Sequence, residues 1–243
     1  MLDMIAFDAD DTLWHMESLF HLTHEKYAAL LSHYHSAKWI EKKLFETEMR
    51  NLKHFGYGVK GFTLSMIETA IELTEGRIKG DDIQKIVDLG KQMLKAPVQL
   101  LEHAEDTIKT LSASYPLMIL TKGDLFDQES KIARSGLSTY FKYIEIRTRK
   151  TKAAYKAVFK KYNIAPQRFL MVGNSLRSDI FPVLELGGYA VFIPYPFYWE
   201  HEKVTDANIN PGKYPRYMEL EHIGQLPGWI KVLAAKKGKK DEK

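Results

Sequence analysis

The chain has 243 residues, 45% hydrophobic and 27% charged, the balance of a globular protein rather than a disordered or fibrous one. It contains no cysteine, which excludes disulfides, thiolate nucleophiles, zinc–thiolate sites and iron–sulfur clusters, so covalent catalysis must use another side chain. The formal net charge is +4, and the segment KKGKKDEK at 236–243 supplies most of it; the remainder is nearly neutral and offers no basic face of the kind nucleic acids need.

The opening MLDMIAFDADDT carries acid where a signal peptide carries a basic end, and no run approaches the roughly 18 apolar residues that span a bilayer. A cytoplasmic protein with no membrane partner is the expectation. The first apolar run, Met4–Phe7, reads as a strand that stops at Asp8. From Met16 to Ala96 the spacing is helical, with stripes at Tyr27, Leu30, Leu31 and Tyr34; Phe45, Met49 and Leu52; Leu64, Ile67 and Ile71; and Ile83, Ile86 and Val87. Gly76 suits the end of the third helix, and Asp81 or Asp82 the start of the fourth. Roughly eighty residues far exceed a strand-to-helix connection, which predicts an inserted helical domain. Within it, Phe55-Gly56-Tyr57-Gly58 reads either as a turn or as a flexible, substrate-facing loop.

A helical stripe at Ala104, Ile108 and Leu111 follows, and then apolar runs at Leu117–Leu120, Tyr143–Ile146, Phe169–Val172 and Ala190–Ile193 alternate with helical stretches, one of them marked by Tyr155, Val158, Phe159 and Tyr162. Such alternation predicts an α/β fold with a parallel sheet. The expected division is a core domain of residues 1–15 and 97–235, a helical domain of 16–96 and a disordered basic tail of 236–243. Pro194–Pro196 with Phe197, Tyr198 and Trp199 reads as a loop whose aromatics pack. The pairs His21/His24 and His33/His35 lack a carboxylate at ligand spacing and read as helix-surface residues rather than a zinc site.

The strand ends carry the chemistry. Asp8, Asp10 and Asp11 crowd three carboxylates into four positions, which suits either a hard divalent cation or an acidic turn capping a helix. Thr121-Lys122-Gly123-Asp124 can face an anion or simply turn. Arg147, Arg149, Lys150 and Lys152 can be a solvated basic loop, and Gly173-Asn174-Ser175 with Asp179 can be a helix start. Four successive strands nevertheless each deliver a phosphate- or metal-competent residue at the carboxyl end, where parallel sheets hold their ligand crevice.

In this order the residues resemble the four motifs of the haloacid dehalogenase-like (HAD) superfamily: Asp8, Asp10 and Thr12; Thr121; Lys150; and Gly173, Asn174, Ser175 and Asp179. The resemblance covers Met1–Trp14 and roughly Pro97–Trp229, and the helical insert is similar to the family's C1-type cap. It implies a Rossmann-like core and a Mg²⁺-dependent phosphatase acting on a small phosphorylated metabolite as monomer or homodimer, with a cap that closes to exclude water. Asp8 would be the nucleophile that forms an aspartyl-phosphate, and Asp10 the general acid and then base. Thr121, Lys122 and Lys150 would bind the phosphoryl group. Asp8, the Asp10 carbonyl and Asp179 would hold Mg²⁺, with Asn174 standing where Asp is commoner. Lys152 competes with Lys150 for the third motif, and the KTKAAY run ending at Tyr155 favours Lys150. Trp14 and His15 would either line the entrance as a mobile flap or pack against the cap. The rivals are a 2-haloacid dehalogenase, which needs neither metal nor a second acid, and a non-catalytic binding module of the same fold.

Overall fold

The structure is a computed structural model that describes residues 2–197, 199–202 and 211–241. Its strands are β1 (Met4–Phe7), β2 (Leu117–Lys122), β3 (Tyr143–Arg147), β4 (Phe169–Gly173), β5 (Tyr189–Phe192) and β6 (Tyr217–Glu219). All pair in parallel, in the order β3-β2-β1-β4-β5-β6. The helices are α1 (Glu17–Leu30), α2 (Ala37–Phe55), α3 (Val59–Leu73), α4 (Gly80–Lys95), α5 (Ala104–Ser112), α6 (Leu125–Arg134), α7 (Lys152–Tyr162), α8 (Phe181–Leu184) and α9 (Leu226–Asp241). Strand β6 is too short, and too poor in apolar residues, to stand out in the sequence.

The chain divides into two compact units, one of residues 1–15, 98–122 and 132–243, the other of 16–97 with 123–131. In the first, β1 lies at the centre of the sheet, and Ile5, Ala6 and Phe7 are fully buried. Alternation along the strand sends Ile5 and Phe7 into a cluster with Ile108 of α5 and Ile230 of α9, while Met4 and Ala6 pack with Tyr155, Val158 and Phe159 of α7. Burial on both faces explains why the central strands read as unbroken apolar runs. From β1 the chain proceeds outward through β2 to β3, then returns to β4 on the other side of β1. Loops leaving the carboxyl ends of β1 and β4 therefore diverge, and a crevice opens between them.

The second unit is helical. Tyr27, Leu31, Ile40, Leu44, Phe62, Met66, Ala70 and Ile86 form its core. Two expected stripes are wrongly phased. In α2 the inner face is Ile40, Leu44, Thr47 and Asn51, one residue off the Phe45–Met49–Leu52 stripe. Polar residues occupy it because they are satisfied there: Thr47 donates to the Lys43 carbonyl (3.0 Å) and Asn51 to Ser65 Oγ (3.2 Å). In α3, Leu64 and Ile71 are exposed, and Val59, Phe62, Met66 and Ala70 face inward. Gly76, with φ +78°, lies just past α3 and donates to the Ile71 carbonyl (2.9 Å). Asp81 and Asp82 fall in the first turn of α4 rather than at its cap, which is Lys79. Gly56 and Gly58 both have positive φ in the short link from α2 to α3, which gives the Phe55–Gly58 segment a turn's local geometry.

At the other end of the chain, α9 continues to Asp241, so the backbone at 236–241 is helical where a disordered tail is expected. Lysine and alanine are good helix formers. Glu242 and Lys243 lie outside the described residues, as does Tyr198 of the aromatic loop.

Candidate active site

The β1–β4 ladder runs one residue past β1, since the Asp8 amide donates to the Val172 carbonyl (2.9 Å). Asp8 therefore stands at the sheet edge beside Gly173. The chain then closes a tight turn in which the Leu13 amide bonds the Ala9 carbonyl (2.8 Å) and the Asp11 amide bonds the Trp14 carbonyl (2.7 Å). Asp11 takes a left-handed backbone, φ +59°, which aspartate tolerates better than most residues. Trp14 is 1% exposed and sits in the main core. Its indole N–H donates to Asp10 Oδ1 (2.7 Å). Trp14 thus packs in the main core, and the same ring holds the Asp10 carboxyl.

Lys150, in the loop after β3, is the pivot. Its ammonium is wholly buried, pairs with Asp8 Oδ1 at 2.7 Å and bonds Asp179 Oδ1. Burial works to lower the Lys150 pKa, but the charges of Asp179 and Asp8 outweigh it and hold the ammonium above its usual value. Burial pushes the Asp179 carboxyl up, opposed by Lys150 and reinforced by Asp8. Lys152 is instead a surface residue of α7 paired with Glu185. The lysine that enters the acidic cluster is thus Lys150.

The turn after β4 explains the five-residue spacing of Asn174 and Asp179. It is a π-helical turn, Leu176–Ile180, in which the Ser175 carbonyl accepts from both the Asp179 amide (2.8 Å) and the Ile180 amide (3.3 Å). The Ser175 amide donates to Asp179 Oδ2 (3.0 Å), bending the carboxylate back toward the strand end. A Cβ at Gly173 would overlap that carboxylate, so glycine is needed there. Pro182 has no N–H to offer the Ser178 carbonyl four residues earlier. The Tyr155 hydroxyl takes that acceptor instead (3.0 Å), which gives the Lys150-to-Tyr155 spacing a physical reason. Asn174 lies against the first loop, its Oδ1 3.4 Å from Thr12 Oγ1.

Thr121 is buried one residue before the end of β2, on the same edge. Lys122 departs from expectation as a phosphoryl ligand, because its ammonium bonds the carboxylate of Glu202 and also reaches Ser178 Oγ (3.1 Å). Glu202 was not legible in the sequence, since no spacing ties it to any strand end.

Two carboxylates, Asp8 and Asp179, share one lysine here, so the cluster is short of positive charge. No group of three or more acidic or histidine side chains assembles into a metal cage among the described residues. That donor set suits Mg²⁺, which binds through one or two carboxylates and otherwise keeps water and phosphate oxygens, better than it suits zinc or calcium.

The sheet order and its acidic carboxyl edge are those of a Rossmann-like α/β enzyme. A family model for haloacid dehalogenase-like hydrolases matches residues 2–182, and the chain belongs to that family. A haloacid dehalogenase-like family hydrolase from Xanthomonas campestris, solved by crystallography, is 39% identical, with a TM-score of 0.86 over 98% of this chain and 94% of that one. Glyceraldehyde 3-phosphate phosphatase of Pyrococcus furiosus is 29% identical over 133 residues, 53% of this chain and 51% of that protein, so the match spans about half of that relative's length. L-2-haloacid dehalogenase from Xanthobacter autotrophicus, at 16% identity, shares the fold with a TM-score of 0.63 over 95% of this chain and 99% of that one. No helix among the described residues is long and apolar enough to cross a membrane.

Proposed function

We propose that this hydrolase is a Mg²⁺-dependent phosphatase that cleaves a small phosphomonoester through an aspartyl-phosphate. The observation that carries the reading is the buried Asp8–Lys150–Asp179 cluster, in which two carboxylates share a single ammonium. Such a site attracts a divalent cation and, through that cation and Lys150, a phosphoryl dianion. Asp8, Asp179 and the Asp10 carbonyl would hold the metal, with Asn174 contributing a neutral oxygen. When bound, Mg²⁺ shields the negative charge that separates an anionic nucleophile from an anionic substrate.

Asp8 attacks phosphorus, and the bond to the leaving oxygen breaks. Asp10, held by the Trp14 indole, delivers a proton to that oxygen and later takes one from the water that attacks phosphorus and displaces the Asp8 carboxylate, freeing phosphate. Lys150 and Thr121 steady the charge on the transferring group. An acid two residues past the nucleophile also favours phosphatase over dehalogenase, because a halide leaves without a proton and an alkoxide does not. The relationship to a sugar-phosphate phosphatase points the same way.

The test is hydrolysis of 4-nitrophenyl phosphate and of a panel of sugar, nucleotide and organic-acid phosphates. Turnover is expected with Mg²⁺ and is lost to a chelator. Asp10→Asn should lower alkyl-phosphate turnover by about 10²–10⁴-fold while Mg²⁺ still binds. Full activity after chelation, or chloride release from 2-chloropropionate without metal, would overturn the reading.

A further inference from the structure

Glu202 lies far along the chain from every motif residue, yet its carboxylate is the meeting point of two of the loops that carry them. Ser175 Oγ donates to Glu202 Oε2 at 2.6 Å, Ser178 Oγ donates to the same oxygen at 2.7 Å, and Lys122 bonds Oε1. Ser175 follows Asn174 and Ser178 precedes Asp179, so one carboxylate clasps both flanks of the π-helical turn. Lys122 follows Thr121, and its second bond, to Ser178, closes the link between the β2 and β4 ends. The segment that brings Glu202 here is itself tied down. Arg177 donates to the His201 carbonyl (2.7 Å), and the Tyr195 hydroxyl lies 2.7 Å from His15 Nδ1 beside the β1 loop.

Burial of this carboxylate is paid for by its partners: the Glu202 and Lys122 side chains are only 14% and 17% exposed. Charge-assisted hydrogen bonds of this length are roughly twice as strong as neutral ones. The hydroxyls of Ser175 and Ser178 can rotate in isolation, and Glu202 fixes both. Ser175 Oγ in turn accepts from the Ser178 amide (3.0 Å), and the Ser175 amide grips Asp179 Oδ2 (3.0 Å). Movement of Ser175 would therefore be passed to the Asp179 carboxylate through a single hydrogen bond.

We propose that Glu202 is a positioning residue for the metal site: through Ser175, Ser178 and Lys122 it holds the turn bearing Asn174 and Asp179 against the end of β2. The inference rests on the phosphatase reading. Partners that orient metal ligands without touching the metal typically contribute 10–100-fold to affinity.

The experiment is isothermal titration of Mg²⁺ into the wild-type protein, Glu202→Gln, Ser178→Ala and the double variant, alongside thermal melts and steady-state kinetics with 4-nitrophenyl phosphate. Glu202→Gln keeps the shape, an acceptor oxygen and the burial but loses the charge that holds Lys122 and both serines. It should weaken Mg²⁺ binding by about 10–100-fold and lower kcat at sub-saturating metal, with KM for the aryl phosphate changed less than threefold. Ser178→Ala removes one donor and no charge, and should cause a smaller loss in the same direction. The double variant should lose less than the product of the two, because both act on one turn. Wild-type affinity in both single variants would overturn the inference and leave the phosphatase reading standing, as would a lowered melting temperature with unchanged Mg²⁺ binding. A wild-type protein that binds no Mg²⁺ and hydrolyses no phosphate would overturn both.

Discussion

Lys150 and Lys122 stand at the same edge of the sheet in opposite electrostatic settings. Lys150 is wholly buried between two carboxylates, Asp8 and Asp179. Lys122 is nearly as enclosed and bonds the carboxylate of Glu202, which also accepts from two serine hydroxyls. In the first cluster two carboxylates share one ammonium, and in the second an ammonium and two hydroxyls converge on one carboxylate. Burying an unmatched charge costs stability, and a protein bears that cost where a ligand will complete the site. A carboxylate that already accepts from an ammonium and two hydroxyls supplies rigidity instead. What separates them is which carboxylates lie within a few ångströms of each ammonium.

The sharpest way to break this comparison is at the acid in contact with Lys150. Asp8→Asn keeps the side chain's shape but abolishes the nucleophile, and phosphatase turnover should fall by at least about 10⁴-fold, measured as phosphate release at saturating Mg²⁺. Retention of even a hundredth of the activity would move the nucleophile elsewhere.

Lys150→Met comes next, because it leaves Asp8 and Asp179 buried together with no countercharge. Removing one partner from a buried ionic cluster costs about 3–5 kcal/mol, so the denaturant midpoint should drop sharply in metal-free buffer. A midpoint equal to wild type would show that the cluster is not held by this ammonium.

The Glu202 cluster should report through acid instead. Burial works to raise the Glu202 carboxyl, but Lys122 with the Ser175 and Ser178 hydroxyls overcomes it and holds the pKa at about 2, below the ordinary value of 4.5. A carboxyl depressed on folding adds stability that is complete above its unfolded pKa and is lost as pH falls toward the folded one. Wild type should thus exceed Glu202→Gln by about 3 kcal/mol near neutrality, with the gap closing between pH 4.5 and 2. Unfolding curves at stepped pH give the answer, and a gap independent of pH over that range would contradict the ion pair.

The smallest effect belongs to the lysine that lost the contest for the third motif. Lys152 pairs with Glu185 on the surface, where such pairs contribute about 0–1 kcal/mol. Lys152→Ala should leave turnover within twofold of wild type and stability within about 1 kcal/mol; a large loss of turnover would reverse the choice between Lys150 and Lys152.

Much of this was determined by the sequence alone. The apolar runs marked five of the six strands, four of them because strands buried on both faces admit almost nothing else and β3 although it lies at the sheet edge with Ile144 exposed, and the acids after Phe7 marked an edge because carboxylates cannot continue such a run. Helical spacing found the insert but misplaced its inner faces in α2 and α3, since Thr47 and Asn51 satisfy themselves in the core while Leu64 and Ile71 lie exposed. Periodicity counts apolar residues, and it is blind to a polar group with a partner. Tertiary structure decided the rest: that Lys150 meets both Asp8 and Asp179, that Trp14 bonds Asp10, and that Glu202 bonds Lys122. Each of these depends on residues brought together from distant stretches of chain, and electrostatic energy depends on the distance between charges in space, which their order along the chain does not contain.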